Sequence, residues 1–280
     1  MLTPLVWGGL GLYIRCMKNW IPFLKSQPRV NVVRLSGTIV TKRGGLNDQA
    51  LASAIERAFG KGKPSAVALS INSPGGSPVQ SSLIAARIRR LADEKDVPVF
   101  AFVEDVAASG GYWLACAADK IFVDRSSIVG SIGVISAGFG FDQLIAKYGI
   151  ERRVYTAGGS KSQLDPFQPE RDEDVVRLKA LQEDIHVAFV EHVKASREDR
   201  LSQDVELFDG TYWTGKTSVD LGLADGIGHL LPIMKEMFGA KTRFAVFGPK
   251  KPFLGRFGAQ IIDEAVNTVE ERGLWARYGL

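Results

Sequence analysis

The sequence predicts an α/β fold built on a largely parallel sheet, and three observations carry that expectation. Strand-like apolar runs alternate with helix-length amphipathic stretches four times in succession from residue 30. The run at residues 66–71 is nearly all apolar, the mark of a strand in a sheet covered on both faces. Glycine-bearing turns at 74–76, 110–111 and 158–159 each follow such a run, and in a parallel sheet these turns share the carboxyl edge where sites form.

Residues 30–40 alternate and β-branch as a first core strand. Gly44 and Gly45 break it, and Asn47 caps a helix running to about Phe59. The 66–71 strand runs into Asn72-Ser-Pro-Gly-Gly-Ser77, after which Pro78 opens a helix to about Glu94. Leu83, Ile84, Ile88 and Leu91 mark its apolar side. Residues 97–103 read as a buried strand ending in the acidic pair Glu104–Asp105, and 109–118 as an apolar helix. Further strands are expected at 120–123, within 126–135 and at 152–156, with a helix from Phe139 to Tyr148 stopped by Gly149. Residues 170–198 form one long charged helix, 221–228 a turn-rich joint, and about 258–276 a final amphipathic helix. The domain division expected is an extension at 1–29, a main domain at 30–240, and a strand and helix at 241–280.

At 280 residues, with 45% hydrophobic and 24% charged residues, the composition is that of a soluble globular protein. The net charge of +4 comes from bases interleaved with acids, and Arg87, Arg89 and Arg90 read as a solvated helix face rather than a nucleic-acid surface. Two cysteines, Cys16 and Cys116, give neither a disulfide framework nor metal-ligand spacing. Residues 1–14 are apolar but short for a bilayer span, lack the basic start and cleavage site of a signal peptide, and suit a membrane-surface anchor at most. Met17 competes with Met1 as the start, so a cytoplasmic and a membrane-associated location both stay open.

The chemistry concentrates around Ser109. A serine at a strand-to-helix turn, followed by Gly110 and Gly111, is where a nucleophile gains exposure beside free N–H groups. An ordinary N-cap serine satisfies the same stretch. Gly75–Gly76 and Gly110 would present backbone N–H groups of the kind that form an oxyanion hole. A base is then required. His186, His192 and His229 lie far downstream in helical or turn segments, without a partner in the pattern. Lys161, after Gly158-Gly159-Ser160, is the alternative; as a base it must be neutral, which burial favours. From spacing alone a solvated loop lysine is the commoner reading.

Four motifs carry a resemblance. Asp105-Val-Ala-Ala-Ser109-Gly-Gly-Tyr112 resembles the nucleophile segment of the signal peptide peptidase A family of serine proteases. Asn72-Ser-Pro-Gly-Gly-Ser77 is similar to its oxyanion turn, and Ser127-Ile-Val-Gly-Ser131-Ile-Gly-Val134 and Thr156-Ala-Gly-Gly-Ser-Lys161 to its later blocks. The likeness covers about residues 30–235 and is strongest to the short SohB-like members. It implies a Clp-protease/crotonase-like fold with a helical C-terminal part and a Ser109–Lys161 dyad. It further implies Gly76 and Gly110 as oxyanion donors, Ser131 as the hydrogen-bond partner of the lysine, and no metal or cofactor. It also implies peptide substrates such as signal peptides or unfolded proteins, and a ring whose sites take serine and lysine from neighbouring copies. With one copy of the domain here, that ring would be homo-oligomeric. Two rivals remain at this stage. One is a crotonase-type acyl-CoA enzyme using Glu104 or Asp105 as acid and base; the other is a non-catalytic ring scaffold.

Overall fold

A computed structural model describes residues 27–41, 44–248 and 272–280. The expectations for residues 1–26, and for the greater part of the 258–276 helix, lie outside the described residues.

An eight-stranded sheet forms the centre, in the order β6-β5-β3-β2-β1-β8, with β4 and β7 continuing from β3. The strands are β1 (Arg29–Ser36), β2 (Ala66–Ser73), β3 (Val99–Ala108), β4 (Lys120–Val123), β5 (Ile128–Gly130), β6 (Tyr212–Thr214), β7 (Gly226–Ile227) and β8 (Arg243–Phe247). All pairings are parallel except β5 with β6. Helices α1 (Asp48–Gly60), α2 (Pro78–Lys95), α3 (Gly110–Ala115) and α5 (Asp172–Arg197) are joined by the shorter α4 (Asp142–Lys147), α6 (Gly215–Asp220) and α7 (Leu230–Phe238).

The apolar alternation of the strands decides what lies on each face. Val67, Leu69 and Ile71 of β2 face Leu51 and Ile55 of α1 and Ile84 and Ile88 of α2. Ala66 and Ala68 turn the other way, with Phe100 and Phe102, onto Met234 of α7. Burial on both faces is what the apolar composition of β2 requires. Asn47 caps α1 through its side-chain oxygen, which accepts from Ala50 N at 2.9 Å. Arg87, Arg89 and Arg90 pair with Asp48, Asp93, Asp119 and Glu94, so that run is a solvated, salt-bridged surface.

Three elements depart from expectation. β3 does not stop at the acidic pair. It bulges through it, since Ile71 pairs Val103 while Ser73 pairs Ala107. The two carboxylates find donors on β2: Ser70 Oγ to Glu104 at 2.6 Å and Asn72 Nδ2 to Asp105 at 2.6 Å. The strand therefore continues to Ala108. The 109–118 helix is only six residues, because Asp119 turns the chain back by bonding Val99 through both its N–H, at 2.9 Å, and its carboxylate, at 2.7 Å. The expected 152–156 strand has no regular structure. Arg152 is drawn to Asp165 at 3.2 Å and Arg153 to Glu151 at 2.6 Å, and Val154 and Tyr155 pair with no sheet edge.

That last segment belongs to an arm, residues 133–169, that leaves the sheet and carries only α4. Phe139, Leu144, Tyr148, Ile150 and Tyr155 on it are exposed. Two bonds fasten the arm to α5: Arg177 Nη1 to Ser160 Oγ at 2.5 Å, and Gln163 Nε2 to Asp174 O at 3.3 Å. At its other end α5 is locked by Arg197, whose buried guanidinium donates to Asp225 at 2.8 Å and to Gly222 O at 2.9 Å. Among the described residues no helix is long and apolar enough to cross a membrane.

Candidate active site

Ser109 sits where β3 gives way to α3, with φ 53° and ψ −123°. For a residue with a β-carbon this conformation costs on the order of 1–3 kcal/mol and persists only when its surroundings over-determine it. They do so here. Ser109 N–H donates to Gly130 O of β5 at 2.8 Å, and its carbonyl accepts from Tyr112 N at 2.9 Å and Trp113 N at 3.0 Å. The side chain makes no capping bond to the helix. Of the two roles the sequence left open, the N-cap position is occupied but its usual side-chain bond is not made.

Two neighbouring turns close around this serine. A β-carbon on Gly75, which has φ +99°, would lie 2.8 Å from Ser109 Cβ, from Ala108 O and from Gly110 N. Real side chains do not approach so closely, so only glycine lets the two turns meet. The turn is pinned by Ile39 N to Gly75 O and Ser77 N to Ile39 O, both at 2.8 Å. Between these bonded neighbours the N–H of Gly76 has no acceptor among the described residues, and neither has that of Gly110. The two groups are adjacent: a β-carbon on Gly110 would sit 3.4 Å from Gly76 N. Free N–H donors beside an uncommitted hydroxyl are suited to hold a negatively charged oxygen as it forms.

A cleft of about 740 Å³ opens over Ser109. Trp113, Phe189 and Phe208 give it apolar walls, and Lys179, Glu183 and His186 line it from one face of α5. Ser131 lies at its rim, buried and at φ 52°, its N–H bonded to Thr211 O at 2.8 Å. Its hydroxyl accepts from Tyr278 of the 272–280 segment at 3.3 Å. Lys161 is elsewhere. It stands exposed in the 158–164 turn of the arm and is not among the residues lining the cleft within one chain. The 158–159 turn likewise follows no strand, so the third glycine turn is not at the sheet edge.

Glu104 and Asp105 line a different cleft of about 660 Å³, together with Asp124 and His229. They are not among the groups facing Ser109. Cys116, buried beneath Tyr112, has its thiol pushed up to about 12 by desolvation, which leaves it no thiolate character near neutrality. His192 is held below its ordinary pKa by burial against Trp113, whose carbonyl accepts from its Nε2 at 3.0 Å. Tyr278 and Lys179 were missed from the sequence, as was the place in the cleft of His186, which was named there only to be set aside as a base. The last two lie seven residues apart on α5, a spacing that shares a helix face. Nothing local marks Tyr278.

Set against known proteins, the description "Peptidase family S49" matches residues 92–241. A Brucella melitensis protein named Na(+)/H(+) antiporter NhaA is 47% identical over 94% of this chain, which spans 39% of that protein. The chloroplastic serine protease SPPA of Arabidopsis thaliana is 30% identical over 76% of this chain and 33% of its own length. Protease 4 of Haemophilus influenzae is 30% identical over 71% of this chain and 33% of its own length. The chain thus spans well under half of each of these three relatives. A solved structure of the 1510-N membrane-bound stomatin-specific protease overlays with a TM-score of 0.48 at 14% identity, covering 80% of this chain and all of that one.

Proposed function

Since the chain belongs to peptidase family S49, we propose that it is a serine endopeptidase in which Ser109 is the nucleophile. The observation that carries this reading is the strained, uncapped Ser109 beside the free N–H groups of Gly76 and Gly110. Ser109 Oγ attacks the scissile carbonyl carbon, and the carbonyl oxygen gains charge between the two N–H groups. The hydroxyl proton passes to the base and on to the leaving amine as the C–N bond breaks. Water then attacks the resulting ester, giving its proton to the same base, and Ser109 is restored. Peptides that reach the cleft in extended form are the substrates, with signal peptides and unfolded chains as the class.

Lys161 of a second copy is the base in this proposal. The turn that carries it is held to α5 through Ser160 and Gln163, and Lys161 itself is exposed at the surface. The exposed Phe139, Tyr148 and Tyr155 supply the apolar surface that a neighbouring copy would cover in a homo-oligomeric ring. An amine base works only unprotonated, so turnover rises with pH; an acid optimum would point to a carboxylate instead. Glu104 and Asp105, committed to Ser70 and Asn72, lend the acyl-CoA alternative no support.

The test is a fluorophosphonate probe with mass spectrometry of the labelled peptide, followed by subunit mixing. Label at Ser109, lost in Ser109→Ala together with peptide cleavage, is the expected result. Ser109→Ala and Lys161→Ala assemblies are each inactive, and co-refolding them in equal amounts restores intact pairs at about a quarter of interfaces. Turnover retained by Ser109→Ala refutes the nucleophile. A mixed assembly that stays dead refutes the shared site.

A further inference from the structure

The 272–280 segment returns to the catalytic edge of the sheet, and its contacts there are specific. Tyr278 is 8% exposed, and its ring packs on Val106 and Ala108, the outer-face residues of β3 immediately before Ser109. The same ring meets Tyr212 of β6 edge-on, with centroids 5.2 Å apart, and Tyr212 Oη donates to Arg277 O at 3.4 Å. β6 is the antiparallel partner of β5, and Gly130 of β5 accepts the Ser109 N–H. The phenol at the end of this stack donates to Ser131 Oγ at 3.3 Å in a buried setting.

Resting on the peptidase reading above, we infer that Tyr278 is a positioning residue for the Ser109 site, acting through Ser131. A serine hydroxyl has two acceptor lone pairs and one proton. With its backbone held at φ 52° and its N–H committed to Thr211, the remaining freedom of Ser131 is rotation of its hydroxyl group. The Tyr278 proton occupies one lone pair and fixes that rotation. The second lone pair is then turned towards the cleft, where a lysine N–H from a neighbouring copy is received. The amine's own lone pair stays free for the Ser109 proton. Ser131 is thus set from one side by the 272–280 segment and used from the other by the incoming base. Leu274 and Arg277 of the same segment line the cleft, so the segment is part of the site's wall.

The experiment compares wild type, Tyr278→Phe, Ser131→Ala and the double variant as full-length assemblies. The measurements are peptide turnover, probe labelling at Ser109 and thermal midpoint. Tyr278→Phe keeps the ring and its packing. It is expected to lower kcat about three- to tenfold, the span of one ordinary hydrogen bond, with KM unchanged and the thermal midpoint lowered by only a few degrees. In the Ser131→Ala background the same substitution should have no further effect, since the group it acts through is gone. An unchanged kcat, or effects that multiply independently in the double variant, overturns the inference. So does a rise in turnover, which would make the segment a plug. A wild-type protein that neither labels at Ser109 nor cleaves removes the peptidase reading, and with it this inference. That outcome is distinct from a labelled, active wild type whose Tyr278→Phe form behaves identically.

Discussion

Gly75→Ala adds a single methyl group where the two turns meet, and its effect can be worked from the geometry. The new carbon would stand 2.8 Å from Ser109 Cβ, Ala108 O and Gly110 N, whereas ordinary contact begins near 3.4 Å. Something must move by about 0.6 Å, and the atoms in the way are the nucleophile's own Cβ and one of the two oxyanion donors. The φ of +99° adds strain of about 1–3 kcal/mol for a residue with a β-carbon, and overpacking adds a further ~1–3 kcal/mol. Against a typical stability of ~5–15 kcal/mol the protein still folds, with a thermal midpoint lowered by roughly 5–15 °C. Catalysis suffers more, because misplacing a reacting group by about 1 Å costs on the order of a hundredfold. Fluorophosphonate labelling rate, peptide turnover and calorimetry on one preparation separate the two losses. An alanine variant that labels and turns over like wild type, with an unmoved midpoint, would refute the claim that the two turns are in forced contact.

Two further substitutions test other parts of the molecule. His192, stacked on Trp113 at 4.9 Å, has its pKa lowered by burial, so the folded state favours the neutral ring. The stability this provides is present above the unfolded value of about 6.5 and is lost as pH falls below it. His192→Phe keeps the stack, and its thermal midpoint should fall less than that of wild type between pH 7.5 and 5.5; parallel slopes would contradict this. On the arm, Phe139 is 81% and Tyr155 91% exposed. Replacing both with glutamate should weaken assembly about a hundredfold or more, by losing two aromatic burials, and abolish turnover with it. Light scattering beside the cleavage assay checks this, and a full-size, active variant would disprove the arm's role.

The sheet was legible because its signal is local. β2 is apolar from Ala66 to Leu69 and at Ile71 since both its faces are covered, and Asn47 and Pro78 announce α1 and α2 by chemistry that acts within one turn. The turn at Ser109 was legible for the same reason: a serine and two glycines after an apolar run mark a strand-to-helix junction within a few residues. What was misread depends on partners distant in sequence. The end of β3 was placed too early because the donors for Glu104 and Asp105 lie 34 and 33 residues away on β2. Residues 152–156 alternate like a strand, but no edge of this chain receives them. Lys161 could be named yet not placed against Ser109, because one chain does not bring them together. Tyr278 left no trace, since its contact with Ser131 spans 147 residues.

The bulge in β3 has a consequence in counting. Side chains in a strand alternate between faces, and the offset between Ile71–Val103 and Ser73–Ala107 inserts two residues. Two is even, so Ala107 still looks into the helix-covered core and Val106 and Ala108 still look outward to the 272–280 segment. Removing one residue of the acidic pair would leave an odd insertion, which the ladder must absorb as a one-residue bulge or by exchanging those faces. Removing both would restore regular pairing with Ala107 still opposite Ser73, so the serine would stay at the sheet edge. The acidic pair is therefore slack of even parity. It adds chain without lengthening the strand, and it sets two carboxylates beside the donors of β2 without disturbing which side of the sheet their neighbours occupy.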